Sequence, residues 1–283
     1  MQRPLTLPIA ALLALLALLS GCATTTPGGV PIDTSHPSKA QDSRVLFLIL
    51  HYTVGNFDNA LRTLTEGEVS AHYLVSDESP ARILRLVPEE RRAWHSGASG
   101  WQRHRLLNSS SIGIEIVHPG FRLAPPDAEG RRERVYLPFP DAQIDALIPL
   151  VRDIVRRHEI RPERILGHGE VTPSYKEDPG PTFPWRRLAE LGITPPWPDA
   201  ARVRERQTVY EAALPELEWF QRRLARHGYP IDADAPLDQP GQRRLLQRVL
   251  MNFQMRYRPA RYDGEPDAES AAILDVLTSR SAP

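Results

Sequence analysis

The segment Gly167-His168-Gly169-Glu170 is followed, ten residues after its histidine, by Asp178 in Tyr175-Lys176-Glu177-Asp178-Pro179-Gly180. Far upstream, His51 closes an apolar run in His51-Tyr52-Thr53, and Glu115 is embedded in Ser111-Ile112-Gly113-Ile114-Glu115. Two neutral imidazoles and one carboxylate are a ligand set that Zn²⁺ uses in hydrolytic sites, with the fourth tetrahedral position left for water. A separate carboxylate can act as proton acceptor, and a lysine beside a ligand can stabilise a developing oxyanion. The other histidines divide by context. His36, His104, His158 and His227 lie among polar residues and are assigned no role. His72, His95 and His118 could each line a cleft, and spacing does not choose among them.

These side chains need elements to hold them. Residues 45–50 are apolar throughout, which fits a strand buried on both faces, with His51 at its end. Residues 71–75 and 82–87 read as two strands joined by a turn around Pro80. Along 111–117, Gly113, Glu115 and Val117 share one face, because side chains alternate on a strand. A carboxylate between Ile114 and Ile116 suits a face that opens into a site, where partial desolvation raises its pKa. Ile144, Leu147, Ile148, Val151, Ile154 and Val155 recur at helical spacing, which predicts a helix over 141–158 with Asp141 as N-cap and a kink at Pro149. Residues 160–168 read as a strand that ends at His168 as the first ends at His51. Lys176 and Asp178, two apart, point to one side in an extended segment. The fold class is α/β: a mixed central sheet flanked by helices.

Lys+Arg and Asp+Glu each total 35. Removing residues 1–21 takes away Arg3 alone, leaving 34 against 35 and a net charge of −1. That balance excludes the basic footprint of a nucleic-acid binder. Arg3, the apolar run 7–19 and Leu19-Ser20-Gly21-Cys22 are the parts of a secretory signal, and the run is shorter than the ~20 residues that span a bilayer. Cys22 is the only cysteine, so no internal disulfide can form. Its setting resembles the bacterial lipobox. That resemblance implies cleavage before Cys22, a lipid on its new N-terminus and, with Ala23 next rather than Asp, placement in the outer membrane.

Residues 22–42 read as a lipidated flexible tether spanning roughly 25 Å as a coil and at most about 70 Å extended. Closely spaced prolines in Thr194-Pro195-Pro196-Trp197-Pro198 predict a boundary after a domain at 43–195, then a linker at 196–212. In 213–283, three helical stripes predict a small bundle: Leu214, Leu217, Phe220 and Leu224 up to Gly228; Leu245, Val249, Phe253 and Tyr257; and Ala271, Leu274 and Leu277 after Asp267.

Leu50-His51-Tyr52-Thr53, Ser70-Ala71-His72-Tyr73, Ala93-Trp94-His95-Ser96-Gly97, Asn108, the Glu115 strand, Gly167-His168 and Lys176-Glu177-Asp178-Pro179-Gly180-Pro181 occur in that order. Over residues 43–195 this series closely resembles the zinc-dependent N-acetylmuramoyl-L-alanine amidases related to phage lysozyme-type amidases and peptidoglycan recognition proteins. With the lipobox, the chain is similar to the outer-membrane lipoprotein amidases of Gram-negative bacteria. The resemblance implies that His51, His168 and Asp178 bind one Zn²⁺, that Glu115 is the general base and that Lys176 stabilises the oxyanion. It also implies that Trp94, His95 and Asn108 bind substrate. Some relatives use a cysteine as third ligand; Asp178 here removes an oxidisable thiol. The implied reaction is hydrolysis of the amide joining N-acetylmuramic acid to L-alanine in peptidoglycan or muropeptides. The enzyme would be anchored by lipid at Cys22 on the periplasmic face of the outer membrane. Competing readings are a peptidoglycan-binding protein that does not cut, and a zinc peptidase that cuts within the stem peptide. The run from Phe253 to Arg258, followed by Asp263-Gly264-Glu265-Pro266-Asp267, resembles a peptidoglycan-binding three-helix module; a bundle that merely docks on the amidase fits those aromatic stripes equally well.

Overall fold

The computed structural model describes residues 23–279. The signal expected at 1–21 and the lipidation expected at Cys22 lie outside the described residues. Asp42 and Ser43 mark the border between two compact units. In the first, the expected tether contains an antiparallel hairpin of β1 (Ala23–Thr25) and β2 (Pro31–Asp33).

The second unit is built on a five-stranded sheet in the order β11-β3-β8-β4-β5, from β3 (Phe47–Tyr52), β4 (Tyr73–Val75), β5 (Ile83–Arg85), β8 (Ser111–Ile116) and β11 (Ile165–Gly167). All neighbours are parallel except β4 and β5, so the sheet is mixed as expected. Small two-stranded ribbons lie outside it: β6 (Gly100–Trp101) with β7 (His104–Arg105), and β9 (Phe121–Leu123) with β10 (Arg134–Tyr136).

Every residue of β3 is buried, as a parallel strand covered on both faces requires. Alternation sends Leu48, Leu50 and Tyr52 to one apolar core and Phe47 and Ile49 to another. The first core is completed by α2 (Asp141–His158), following α1 (Phe57–Glu66), with Ile144, Leu147, Val151 and Ile154 against Ile112, Ile114 and Ile116 of β8. Asp141 is the first helical residue rather than the N-cap; Pro140 holds that position without a side-chain bond. The helix runs through Pro149 to a basic last turn of Arg156, Arg157 and His158, which suits the negative end of the dipole.

The second core joins the C-terminal helices to the sheet. After α3 (His168–Val171) and α4 (Trp185–Glu190) come α5 (Ala200–Ala212), α6 (Leu217–His227), α7 (Gln242–Tyr257) and α8 (Ala268–Ser279). Phe220, Leu224, Leu246, Val249, Leu250, Phe253 and Leu274 pack with Phe47, Ile49 and Leu166 of the sheet. The bundle is therefore the layer covering the sheet's other face, and residues 43 onward form one packing unit. The three helices expected after residue 213 are α6, α7 and α8; the departure lies in the presumed linker at 196–212, which contains α5. That helix buries only Tyr210 and shows no apolar stripe. Leu214 is exposed and precedes α6.

Candidate active site

Polar side chains gather at the carboxyl ends of β3, β8 and β11, where the sheet opens on the bundle side. Register pairs His51 of β3 with Glu115 of β8, so both project from the same face. His168 begins the one-turn helix α3 directly after β11, rather than ending a strand. The loop that follows returns Asp178 to it, with Gly169 N–H donating to Asp178 C=O at 2.8 Å.

His51 Nδ1 and His168 Nδ1 are 3.0 Å apart, and each lies 3.2 Å from Asp178 Oδ2. All three residues are buried. One face of a tetrahedron about a cation with 2.0–2.1 Å bonds has edges of roughly 3.3 Å, so this triangle has the size a zinc ion requires. The charge states agree. Burial, and then the neighbouring His168, push the His51 imidazolium down to about 4, so the ring is neutral near pH 7. Burial works against ionisation of Asp178, but its two histidine partners outweigh it and hold the carboxyl well below its ordinary range. A neutral imidazole at His51 and a carboxylate at Asp178 belong to the donor set for which the sequence argued.

Glu115 Oε1 stands 3.9 Å from His51 Nδ1, and its buried Oε2 has no partner among the described residues. Burial, with the Asp178 charge adding to it and Lys176 opposing, pushes this carboxyl up to about 8. Lys176 is half-buried and lines the same cleft, a cavity of about 620 Å³ whose walls also carry Val69, Trp94, Tyr175, His168 and Asp178. The sequence-predicted site is thus assembled from residues up to 127 positions apart.

The residues expected to bind substrate behave differently from one another. Trp94 is exposed at the cleft with Arg92 stacked 4.0 Å from its ring. Asn108 reaches the cleft wall, but its Oδ1 accepts from the backbone N–H groups of His95 and Ser96 and from the Ser96 hydroxyl. His95 is buried against His51. His72 and His118 are core histidines with both nitrogens occupied: Gly113 N–H and Arg91 C=O for the first, Gly120 N–H and Pro138 C=O for the second. His227 lies not in a polar setting but among the rings of Trp101, Tyr229, Phe253 and Tyr257.

A second group of residues, unmarked in the sequence, supports the loop from beneath. Glu170 Oε2 accepts from Gly167 N–H at 2.8 Å and from Arg256 Nη1 at 2.7 Å. Arg248 and Asn252 of α7 both donate to Lys176 C=O at 3.2 Å. Gly169 fits only because it lacks a side chain: a Cβ there would meet Asn252 Oδ1 at 2.0 Å. These partners lie more than 70 residues from the loop, beyond the reach of any local pattern.

Residues 41–181 match the N-acetylmuramoyl-L-alanine amidase family. The chain is 40% identical to N-acetylmuramoyl-L-alanine amidase AmiD of Escherichia coli (strain K12), over 95% of this chain and 96% of that protein. Among solved structures it is similar to the complex of E. coli AmiD with the substrate anhydro-N-acetylmuramic acid-L-Ala-D-gamma-Glu-L-Lys, at 38% identity and a TM-score of 0.75, covering 91% of this chain and 97% of that one. It is also similar to AmpDh3 from Pseudomonas aeruginosa in complex with anhydromuramic pentapeptide, at 35% identity and a TM-score of 0.76, covering 89% and 99%.

Proposed function

The chain belongs to the family of N-acetylmuramoyl-L-alanine amidases and is a hydrolase of that kind; from that premise we propose that it cuts anhydro-muropeptides, using zinc held by His51, His168 and Asp178. The observation that carries this reading is the triangle of His51 Nδ1, His168 Nδ1 and Asp178 Oδ2, set beside Glu115 on the wall of the cleft. When bound, zinc supplies Lewis acidity that polarises a carbonyl and makes water nucleophilic near neutrality. Glu115, which the positive charge of a bound metal would hold as a carboxylate, takes the proton of the attacking water at Oε2 and returns it to the departing amine of L-alanine. Lys176 donates to the oxyanion that develops at the lactyl carbonyl. Trp94 gives the cleft an exposed aromatic face for the sugar or peptide. Two relatives seen with anhydromuramic ligands support that substrate class.

The address is part of the proposal. Cys22 becomes the lipidated N-terminus, residues 23–42 separate it from the catalytic unit, and the enzyme works at the periplasmic face of the outer membrane. No helix among the described residues is long and apolar enough to cross a membrane. Labelling cells with a radioactive fatty acid should mark the wild type and leave Cys22→Ser unmarked.

The chemistry is tested by measuring bound zinc and identifying, by mass spectrometry, the products from anhydro-muropeptides. Near-stoichiometric zinc and peptides with a free N-terminal L-alanine are expected, both lost on chelation and in Asp178→Ala. Products cut within the stem peptide would overturn the proposed bond, and full activity without metal would overturn the site.

A further inference from the structure

His95, which spacing left without a role, has partners that define one. Its buried ring stands edge-on to His51, with centroids 5.2 Å apart and planes at 90°. Its Nδ1 lies 3.1 Å from His51 Nε2, and its Nε2 lies 3.1 Å from Ser111 Oγ. Ser111 Oγ in turn lies 2.7 Å from the carbonyl oxygen of Leu107.

The protons along this line follow from what each atom can do. Leu107 C=O can only accept, so the Ser111 hydroxyl donates to it. Ser111 Oγ is then the acceptor for His95 Nε2–H. A neutral imidazole carries one N–H, which leaves His95 Nδ1 bare and able to accept from His51 Nε2–H. His51 is left with a bare Nδ1, the atom that faces His168 and Asp178.

We infer that Ser111 and His95 form a positioning relay that fixes the ring orientation and tautomer of His51 for metal binding; this rests on the reading that His51, His168 and Asp178 hold zinc. Ser111, Gly113 and Glu115 alternate onto one face of β8, and the relay explains all but the last. Ser111 anchors the far nitrogen of His95, while Gly113 leaves room for its ring, since a Cβ there would lie 2.4 Å from His95 Cγ. Asn108 Oδ1, at 3.0 Å from His95 N, holds the backbone from which the ring hangs. The other imidazole ligand has no such support: His168 Nε2 is buried without a partner among the described residues. His51 is therefore the ligand whose aim the protein sets from behind. Outer partners of metal-bound histidines are typically worth 10–100-fold in metal affinity.

The test uses the full chain in detergent, stripped of metal and titrated with zinc against a chromophoric chelator. Wild type is compared with His95→Ala, His95→Asn and Ser111→Ala, with melting of the metal-free forms as the control for folding. His95→Ala should bind zinc about 10–100-fold more weakly. His95→Asn, whose Oδ1 can replace Nδ1 as acceptor, should recover most of that loss, and Ser111→Ala should weaken binding in the same direction as His95→Ala. In zinc-loaded wild type, nitrogen-resolved NMR should find the His95 proton on Nε2, a readout that needs no variant to fold. A proton on Nδ1, unchanged affinity in folded His95→Ala, or no recovery in folded His95→Asn would each overturn the relay. Failure of the wild type to bind zinc would instead overturn the metal site on which it rests.

Discussion

Replacing Arg256 by Met should destabilise the catalytic unit by about 3 kcal/mol or more, although the residue lies far from the cleft in sequence and belongs to the C-terminal bundle. Its Nη1 donates to Glu170 Oε2 at 2.7 Å and to Ile165 C=O at 3.3 Å, and its guanidinium stacks 4.0 Å from the Trp185 ring. The Arg256 and Glu170 side chains are each only 5% exposed. Breaking a buried pair by removing one partner costs about 3–5 kcal/mol, because the other charge is left without compensation. The lower end applies here, since Glu170 keeps its bond from Gly167 N–H. With a urea dependence near the upper end of about 1–3 kcal/mol per molar, the midpoint should fall by about 1 M. Urea unfolding followed by circular dichroism, with chelator present so that metal linkage does not intrude, measures this directly. Neutralising both partners, in Glu170→Gln with Arg256→Met, should restore much of the loss, because a buried pair replaced as a whole is often nearly neutral. A loss under about 1 kcal/mol, the range of exposed pairs, would refute the reasoning. So would a double variant as unstable as the sum of the two single ones.

Lys176→Ala should fold and keep its zinc while losing at least ~100-fold in turnover, the usual effect of deleting one oxyanion donor; steady-state rates together with metal content decide it. Gly169→Ala should cost about 1–3 kcal/mol by overpacking, because the new Cβ would meet Asn252 Oδ1 at 2.0 Å and the Glu177 Cα at 2.9 Å; thermal melting checks the loss. Burial opposes ionisation of Glu89, but bonds from Arg157, Tyr73 and His158 prevail and hold its carboxyl down to about 2. Its contribution to stability is therefore complete above the ordinary carboxylate value of 4.5 and disappears as pH falls through about 2. The stability gap between wild type and Glu89→Gln, from urea titrations, should shrink as pH drops from 5 to about 2.

The parts of the fold that were legible in the sequence are those in which burial leaves a repeating mark. The β3 run, the apolar stripe of α2 and the C-terminal stop at Gly228 all appear where patterning put them. Helix α5 was illegible because it buries little beyond Tyr210, so no stripe distinguishes it from a polar linker. The packing of the segment beyond residue 195 was illegible for a related reason. Prolines do interrupt regular structure there, but the helices beyond them return to cover Phe47 and Ile49. Within the site, the candidate ligands His51, His168 and Asp178 could be marshalled from residue type and resemblance, and the fold brings their donor atoms together. The partners of His95 could not be, because a ring that touches Ser111, Gly113 and His51 at once is a property of three separate segments. Arg256 was hidden as one arginine among many until packing turned it inward.

The triangle of donor atoms also bears on chain entropy. With one cysteine, this protein cannot close any loop of its own by a disulfide. A metal ion shared by His51 and Asp178 would close one of 127 residues, the difference of the two positions. A covalent cross-link over that span would restrict the unfolded chain by about 5 kcal/mol in the loop-entropy picture. Because coordinate bonds are reversible, this constraint would be conditional on free metal, so the supply of the ion would also govern how firmly β3 is tied to the loop after β11.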